Sequence, residues 1–355
     1  MRPAGKRLEP SAIPAAAMKT TFEIAGKPVG GNAPCLVIAE AGVAHFGDIG
    51  LARELVELAA EAGADVFKTQ FFDVETLFAE RAADWRERLR TRNLTLDQAV
   101  EIKELCDRKG LGFMSTAHDE SRIPWLAELD VPAIKVGSGE RNNPGFLTRL
   151  AGLGKPMIIS TGMYGQADVE EALAACAAGG CEEVALLHCV TSYPTPPDQA
   201  NLAAIDGLRR MFDGPVGYSD HTEDGLAVLA AVARGAKIIE KHITILRDVP
   251  NAQDWKVSAG PDDFPGLVAD IHRVEAMLGH GRIEPAPCEE GGINWALKSL
   301  VAVRDLDTGH RIAAADLTAK RPGDGIPPNR LGEIVGRRLR RPLGADEPLA
   351  LDDLQ

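Results

Sequence analysis

Two histidines in this chain stand in similar strings, His221 in YSDHT and His242 in EKHIT. Imidazole nitrogen suits first-row divalent ions, and Asp220, Glu240 and Glu40 could orient the rings or complete the shell. Three lysines, Lys68, Lys135 and Lys241, sit at the ends of apolar runs, where a buried ammonium is costly unless it meets an anion. With Thr116, Ser138, Ser160 and Ser219 they could hold a phosphate and a carboxylate, and Gly137 and Gly162 would let backbone approach closely. Plainer readings stand beside each: a histidine satisfying a polar rim, a lysine paired with a rim carboxylate. A lysine such as Lys135 could instead form a Schiff base with a carbonyl substrate, the chemistry of a metal-free aldolase. A protein that binds an anionic ligand without turning it over is a third possibility.

These residues need a frame that brings them together. Eight short apolar runs (LVIAEAG, VFKTQFF, GFMSTA, AIKVGSGE, MIISTG, VALLHCVTSYPTP, VGYSDHT and KIIEKHIT) lie between Cys35 and Thr244, with stretches of helical periodicity between them. Parallel strands covered on both faces read as continuous Val/Ile/Leu runs. Strand then helix, eight times, predicts a (β/α)8 TIM barrel in an α/β chain, whose reactive groups sit at the carboxyl ends of the strands. Glu40, Lys68, Thr116, Lys135, Ser160, His188, His221 and His242 fall there. His188 and Cys189 read as inner-layer residues. Tyr193, in the proline-stiffened SYPTPP, either contacts substrate or wedges its loop, and His45 either reaches the substrate or caps the first helix. His118, His272, His280 and His310 lack a convergent context and are expected in solvent.

Composition narrows the classes further. The formal charge is −13, with no basic cluster to track a phosphodiester backbone, so a nucleic-acid partner is not expected. Six scattered cysteines without CxxC spacing, and no continuous apolar segment to act as signal or membrane span, predict reduced thiols in a cytoplasmic protein. Residues 1–20, basic and then Pro/Ala-rich, read as a disordered leader, with Met18 as a candidate start. The barrel is expected over 21–282, a Gly/Pro/charge-rich linker over 283–293, and a compact β-rich domain over 294–355.

IAEAG, KVGSGE, STGM, LLHC, SYPTP, GYSDHT, EKH and RPGDGI, in that order from about Cys35 to Leu354, resemble the sialic acid synthase family. The resemblance implies condensation of phosphoenolpyruvate with an N-acylhexosamine to give a nine-carbon 2-keto sugar acid. It implies a divalent cation, Mn2+ first and Mg2+ or Co2+ as alternatives, on His221 and His242. Phosphoenolpyruvate would be held at Lys68, Thr116, Lys135, Ser138, Ser160 and Ser219, with Glu40 beside the reacting sugar and Asp254 matching a family aspartate. Taken with the reading of the residues themselves, the catalytic candidates are Glu40, Lys68, Lys135, Tyr193 and Asp254, and the substrate-binding ones Gln70, Thr116, Ser138, Ser160, Thr191, Ser219 and Lys241. The last domain resembles the family's antifreeze-like (SAF, β-clip) module, which in a domain-swapped homodimer would bring Arg321 to the partner's barrel. Departures cluster on the sugar side: Ala44-His45 for the usual Asn-His, Trp255 for a histidine, Thr191-Ser192 where an Asn is common, and Arg141 after GSGE. They imply a changed acceptor such as a deoxy or di-N-acyl hexose.

Overall fold

The structure, a computed structural model, describes residues 18–355 other than 251 and 253. The expected leader therefore lies, up to residue 17, outside the described residues. The chain divides into two compact units, Met1–Gly279 and His280–Gln355.

The first unit opens with an antiparallel hairpin, β1 (Thr21–Ile24) and β2 (Lys27–Gly30). Eight parallel strands follow and close into a barrel: β3 (Leu36–Gly42), β4 (Val66–Phe71), β5 (Gly112–Ala117), β6 (Ile134–Val136), β7 (Met157–Ser160), β8 (Val184–Cys189), β9 (Val216–Asp220) and β10 (Ile238–His242). Each of the eight expected runs supplies one strand, and β10 pairs with β3 to complete the ring.

Side chains alternate across each strand, and the barrel uses that alternation twice. Outward residues such as Val37, Phe67, Phe113, Ile159 and Leu186 pack against the surrounding helices in the main core. Inward residues in the lower half are apolar: Leu36, Ile38, Val66, Met114, Ala133, Ile158, Ala185, Leu187 and Ile238 fill the barrel. Phe22, Ile24 and Val29 of the hairpin join this cluster, so β1 and β2 plug the amino-terminal end. Gly112 makes the fit possible, since a Cβ there would stand 2.6 Å from that of Ala25. In the upper half the same inward positions turn polar, and the floor of a site is set there.

Helix ends are fixed by local chemistry. Asp48 caps the helix Ile49–Glu61 by accepting from Gly50 and Leu51 amides. Thr95 and Gln98 form a capping box at the start of Leu96–Lys109, which stops at Gly110 in the left-handed region (φ 74°). The β4 connection carries two short helices that the sequence reading did not resolve, Val74–Leu77 and Ala83–Leu89. A small separate core of Val43, Phe72 and Val74, backed by Leu77, Phe78 and Leu89, holds this segment together.

The second unit pairs β11 (Ser299–Ala302) with β12 (Leu317–Lys320), antiparallel, around a core including Leu300, Ile312, Ile326, Ile334, Leu339, Leu349 and Leu354. A helix, Glu290–Ala296, begins inside the stretch read as linker.

Candidate active site

The upper end of the barrel holds a cavity of about 410 Å³ lined by the polar inward residues of the strands and by loops above them. At its floor two carboxylates and two ammonium groups alternate. Lys68 Nζ lies 2.7 Å from Glu40 and 3.9 Å from Glu240, and Lys135 Nζ lies 3.6 Å from Glu240. All four side chains are almost completely buried. Hydroxyls and an amide complete the layer: Lys68 donates to Thr116 (3.3 Å), Lys135 to Ser160 (2.7 Å), Ser219 to Glu240 (2.8 Å) and Gln70 to Glu40 (2.7 Å).

Environment separates the two carboxylates. Burial pushes Glu40 up to about 7, against the pull of Lys68. Burial acts on Glu240 in the same sense, but Lys135 and Lys68, with the Ser219 hydrogen bond, outweigh it and hold Glu240 down at about 2. One acid therefore stays ionised while its neighbour titrates near neutrality, an arrangement that assigns distinct proton-handling capacities to the pair. Burial also lowers Lys135.

His221 and His242 stand side by side with ring centroids 5.4 Å apart, and Tyr193 covers them at 4.0 Å and 5.9 Å. His221 Nδ1 lies 2.7 Å from the Val190 carbonyl. A carbonyl only accepts, so Nδ1 carries the proton and Nε2 keeps its lone pair. Burial drives both imidazoles toward the neutral form, most strongly His242, where His221 adds to the effect. Two neutral imidazoles make a partial donor set. By donor chemistry it suits a first-row divalent ion, although no group of three or more His, Cys, Asp or Glu that could hold one converges among the described residues.

Ser138 accepts from the Gly162 amide (3.0 Å), and a Cβ on Gly162 would collide with Thr191 and stand 2.7 Å from the Ser138 hydroxyl. Glycine is required there because Thr191 and Ser138 close over it. Asp254 and Trp255 lie at the mouth, where burial raises Asp254 against the pull of Arg92 and Arg88.

Sequence candidates and structure differ at several places. Lys241 does not face the cavity: it falls between inward Glu240 and His242, so alternation turns it outward, where it pairs with buried Asp220 at 2.6 Å. The same rule turns His188 outward onto the Ala200 carbonyl (2.8 Å) while Cys189 lines the cavity. His118 is half-buried in the cavity wall, 3.3 Å from Gln70. His310 is half-buried and pairs with Asp316 at 2.8 Å. His45 neither reaches the cavity nor caps the helix, which Asp48 does; it is buried and accepts from Gly47. Arg321 belongs to the second unit, its guanidinium 5.4 Å from the Trp295 ring centroid. The other candidates, Glu40, Lys68, Gln70, Thr116, Lys135, Ser138, Ser160, Thr191, Tyr193, Ser219, His221, His242 and Asp254, all line one cavity.

Glu240, expected from sequence to orient the rings or complete a metal shell, shares the inward face of His242 but is bound instead to Lys135, Lys68 and Ser219. One feature escaped the sequence reading. The outer wall of Phe72, Leu77, Phe78, Trp85, Arg88, Leu89 and Arg92 comes from the β4 connection, whose only sequence signal is its length.

Both parts of the chain match known families. The NeuB family model matches residues 55–283 and the SAF domain model residues 298–355. N,N'-diacetyllegionaminic acid synthase of Campylobacter jejuni is 36% identical over 88% of this chain and 98% of its own length. Human N-acetylneuraminate-9-phosphate synthase is 33% identical over 88% of this chain and 91% of its own. The crystal structure of an N-acetylneuraminic acid synthetase from Leptospira borgpetersenii superposes with a TM-score of 0.73 at 33% identity, covering 78% of this chain and 96% of that one. With a barrel and SAF module both matched, and relatives that make sialic, legionaminic and pseudaminic acids, the chain belongs to the NeuB family.

Proposed function

We propose that the protein condenses phosphoenolpyruvate with the open-chain aldehyde of an N-acylhexosamine, and with water, to give a nine-carbon 2-keto-3-deoxy sugar acid and inorganic phosphate. The observation that carries the reading is the convergence of the Lys68/Lys135 pair, Glu40, Glu240 and two neutral imidazoles in one cavity.

Lys68 and Lys135, with Thr116, Ser138 and Ser160, would bind the carboxylate and phosphate of phosphoenolpyruvate and orient its methylene carbon toward the mouth. His221 and His242 would hold a divalent cation, Mn2+ first and Mg2+ or Co2+ as alternatives. When bound, the ion supplies Lewis-acid polarisation of the acceptor aldehyde. The methylene carbon forms the new C–C bond, water adds at the enol carbon, and phosphate departs by C–O cleavage. Glu40, poised near neutrality, suits the exchange of protons these steps need. Tyr193 keeps a protonated phenol because burial raises it, and it covers the imidazoles.

The apolar members of the outer wall, Phe72, Leu77, Phe78, Trp85 and Leu89, together with Trp255, favour an acceptor bearing methyl or acyl groups, as a 6-deoxy di-N-acyl hexose does. The reading includes a swapped homodimer in which Arg321 reaches the partner's cavity. All six cysteines are free, five of them buried, which fits a cytoplasmic setting. No helix among the described residues is long and apolar enough to cross a membrane.

Phosphate release from phosphoenolpyruvate with Mn2+, comparing N-acetylmannosamine with a 2,4-diacetamido-2,4,6-trideoxyhexose and adding chelator to each, tests the proposal. Sugar-dependent, chelator-sensitive release is expected, faster with the trideoxy sugar. Release insensitive to chelator would overturn the metal assignment. Borohydride inactivation at Lys135 with a keto acid, without phosphate release, would favour the Schiff-base alternative.

A further inference from the structure

Behind the wall that carries the two histidines lies a closed polar network with no access to the cavity. Lys241 Nζ donates to Asp220 Oδ2 (2.6 Å), the Thr222 carbonyl (2.9 Å) and the Asp224 carbonyl (3.1 Å). An ammonium has three hydrogens, and all three are used. Asp220 Oδ1 in turn accepts from the Tyr218 hydroxyl (2.9 Å), the Thr222 amide (3.1 Å) and the Thr222 hydroxyl (2.9 Å). Lys241 and Asp220 are both nearly inaccessible to solvent, and they are opposite each other in the β9/β10 register.

The network's position in the chain is what gives it a consequence. His221 lies between Asp220 and Thr222, both of which are pinned, and His242 directly follows Lys241. One ammonium therefore ties the last residue of β9, the turn beyond His221 and the residue before His242 into a single unit. A buried ion pair is a poor device for stability alone, because two apolar side chains of similar volume serve as well or better. Its directional bonds are suited instead to fixing backbone geometry, here that of two neighbouring imidazoles whose lone pairs must converge within a few tenths of an ångström.

We propose that Lys241 and Asp220 are positioning residues for the cation site: they act from outside the cavity, through the backbone of His221 and His242, to preset the two imidazoles. This rests on the metal reading given above.

The test is Mn2+ binding, measured from the electron paramagnetic resonance signal of free ion, alongside phosphoenolpyruvate binding without metal and thermal melting. Lys241→Met leaves Asp220 buried without its cation and is expected to lower the melting temperature. The double variant Asp220→Leu/Lys241→Met removes both charges and is expected to recover part of it, the Tyr218 hydroxyl and the Thr222 and Asp224 carbonyls still lacking these partners. In both, Mn2+ affinity should fall about 10–100-fold, the usual effect of losing a partner outside the ligand shell, with phosphoenolpyruvate affinity changed less than about twofold. Thr222→Val, which keeps the ion pair and removes one hydroxyl from Asp220, should weaken Mn2+ measurably in the same direction and guards against a double variant that does not fold. A folded double variant, or Thr222→Val in its place, that binds Mn2+ as the wild type does would overturn the proposal and leave the network purely structural. Wild-type protein that binds no Mn2+ would overturn the metal reading itself, and this inference with it.

Discussion

Glu40→Gln separates two roles that a buried carboxylate can have. The glutamate accepts from Gln70 on one oxygen and pairs with Lys68 on the other, each at 2.7 Å. A glutamine of the same shape can keep its carbonyl on Lys68. Its amide then meets Gln70, which must flip and present its own oxygen, leaving its NH2 toward His118. His118 accommodates the change because burial holds it neutral, down at about 4, so its Nε2 can accept. Lys68 keeps Glu240 as a second carboxylate.

The stability balance follows from the same environment. Glu40 is raised from 4.5 to about 7, so the folded protein holds its proton more tightly than the unfolded chain does. That stabilisation is complete below pH 4.5 and is lost as pH rises through 7. Roughly 2.5 units at about 1.36 kcal/mol each give about 3 kcal/mol of destabilisation by pH 8. A glutamine carries no such dependence. The rise to about 7 is already net of the Lys68 and Gln70 hydrogen bonds, so at pH 8 the variant should melt no lower than the wild type. Turnover should behave differently: losing a proton-transfer group costs about 10²–10⁴-fold in kcat, about 3–5 kcal/mol of barrier. Phosphoenolpyruvate affinity should hold or improve, because a negative charge leaves an anion site. The assay is phosphate release with saturating acceptor, with phosphoenolpyruvate binding followed calorimetrically. Turnover within tenfold of wild type would refute the proton-handling role; a large loss of phosphoenolpyruvate affinity would show that Glu40 builds the anion site instead.

Two further predictions test the scaffold. His45 is fully buried and held near 4, below its ordinary 6.5, by burial; the unfolded chain takes up the proton first, so stability should fall by about 3 kcal/mol from pH 6.5 to 4. Urea unfolding across that range should show a shallower fall for His45→Asn, and an identical slope would refute the assignment. Deleting residues 280–355 should leave barrel circular dichroism intact, since the first unit has its own core, yet abolish condensation if Arg321 completes the partner's cavity; a truncated chain with full activity would refute that role.

How much of this was legible in the sequence depended on which physical rule carried the information. Runs such as LVIAEAG and VALLHC are apolar on both faces, and that alone identifies buried parallel strands; all eight appear in the expected places. Polar residues near the ends of those runs located the site. Which of them face it needed the two-residue period as well. Applied strictly, the period separates Glu240 and His242 from Lys241, and Cys189 from His188; the error at Lys241 came from reading the string EKH as a cluster when a strand splits it. The β4 connection was opaque for a different reason. Its short helices are held by Phe72, Val74, Leu77 and Val43, residues distant from any regular pattern, and by Arg86 donating to the Phe78 carbonyl at 2.9 Å. Tertiary contacts define that segment, and no local periodicity announces them.

The cavity is thus assembled from two kinds of structure. Lys68, Thr116, Lys135, Ser160, Ser219, Glu240 and His242 project from barrel strands whose neighbours fix them on both sides. A shift of one residue in any strand would turn its polar group into the helix layer, so these positions are bound to the fold itself. Thr191, Asp254, Trp255 and the aromatic wall of the β4 connection come from loops, which can exchange side chains without disturbing the sheet. Every departure from the family's pattern noted above, at Ala44, Arg141, Thr191, Ser192 and Trp255, falls outside the strands. Chemistry common to the condensation would then reside in the barrel, and choice of acceptor in the loops. On this division, exchanging the 72–94 connection for that of a relative should alter which sugar is used while leaving phosphoenolpyruvate binding as it was.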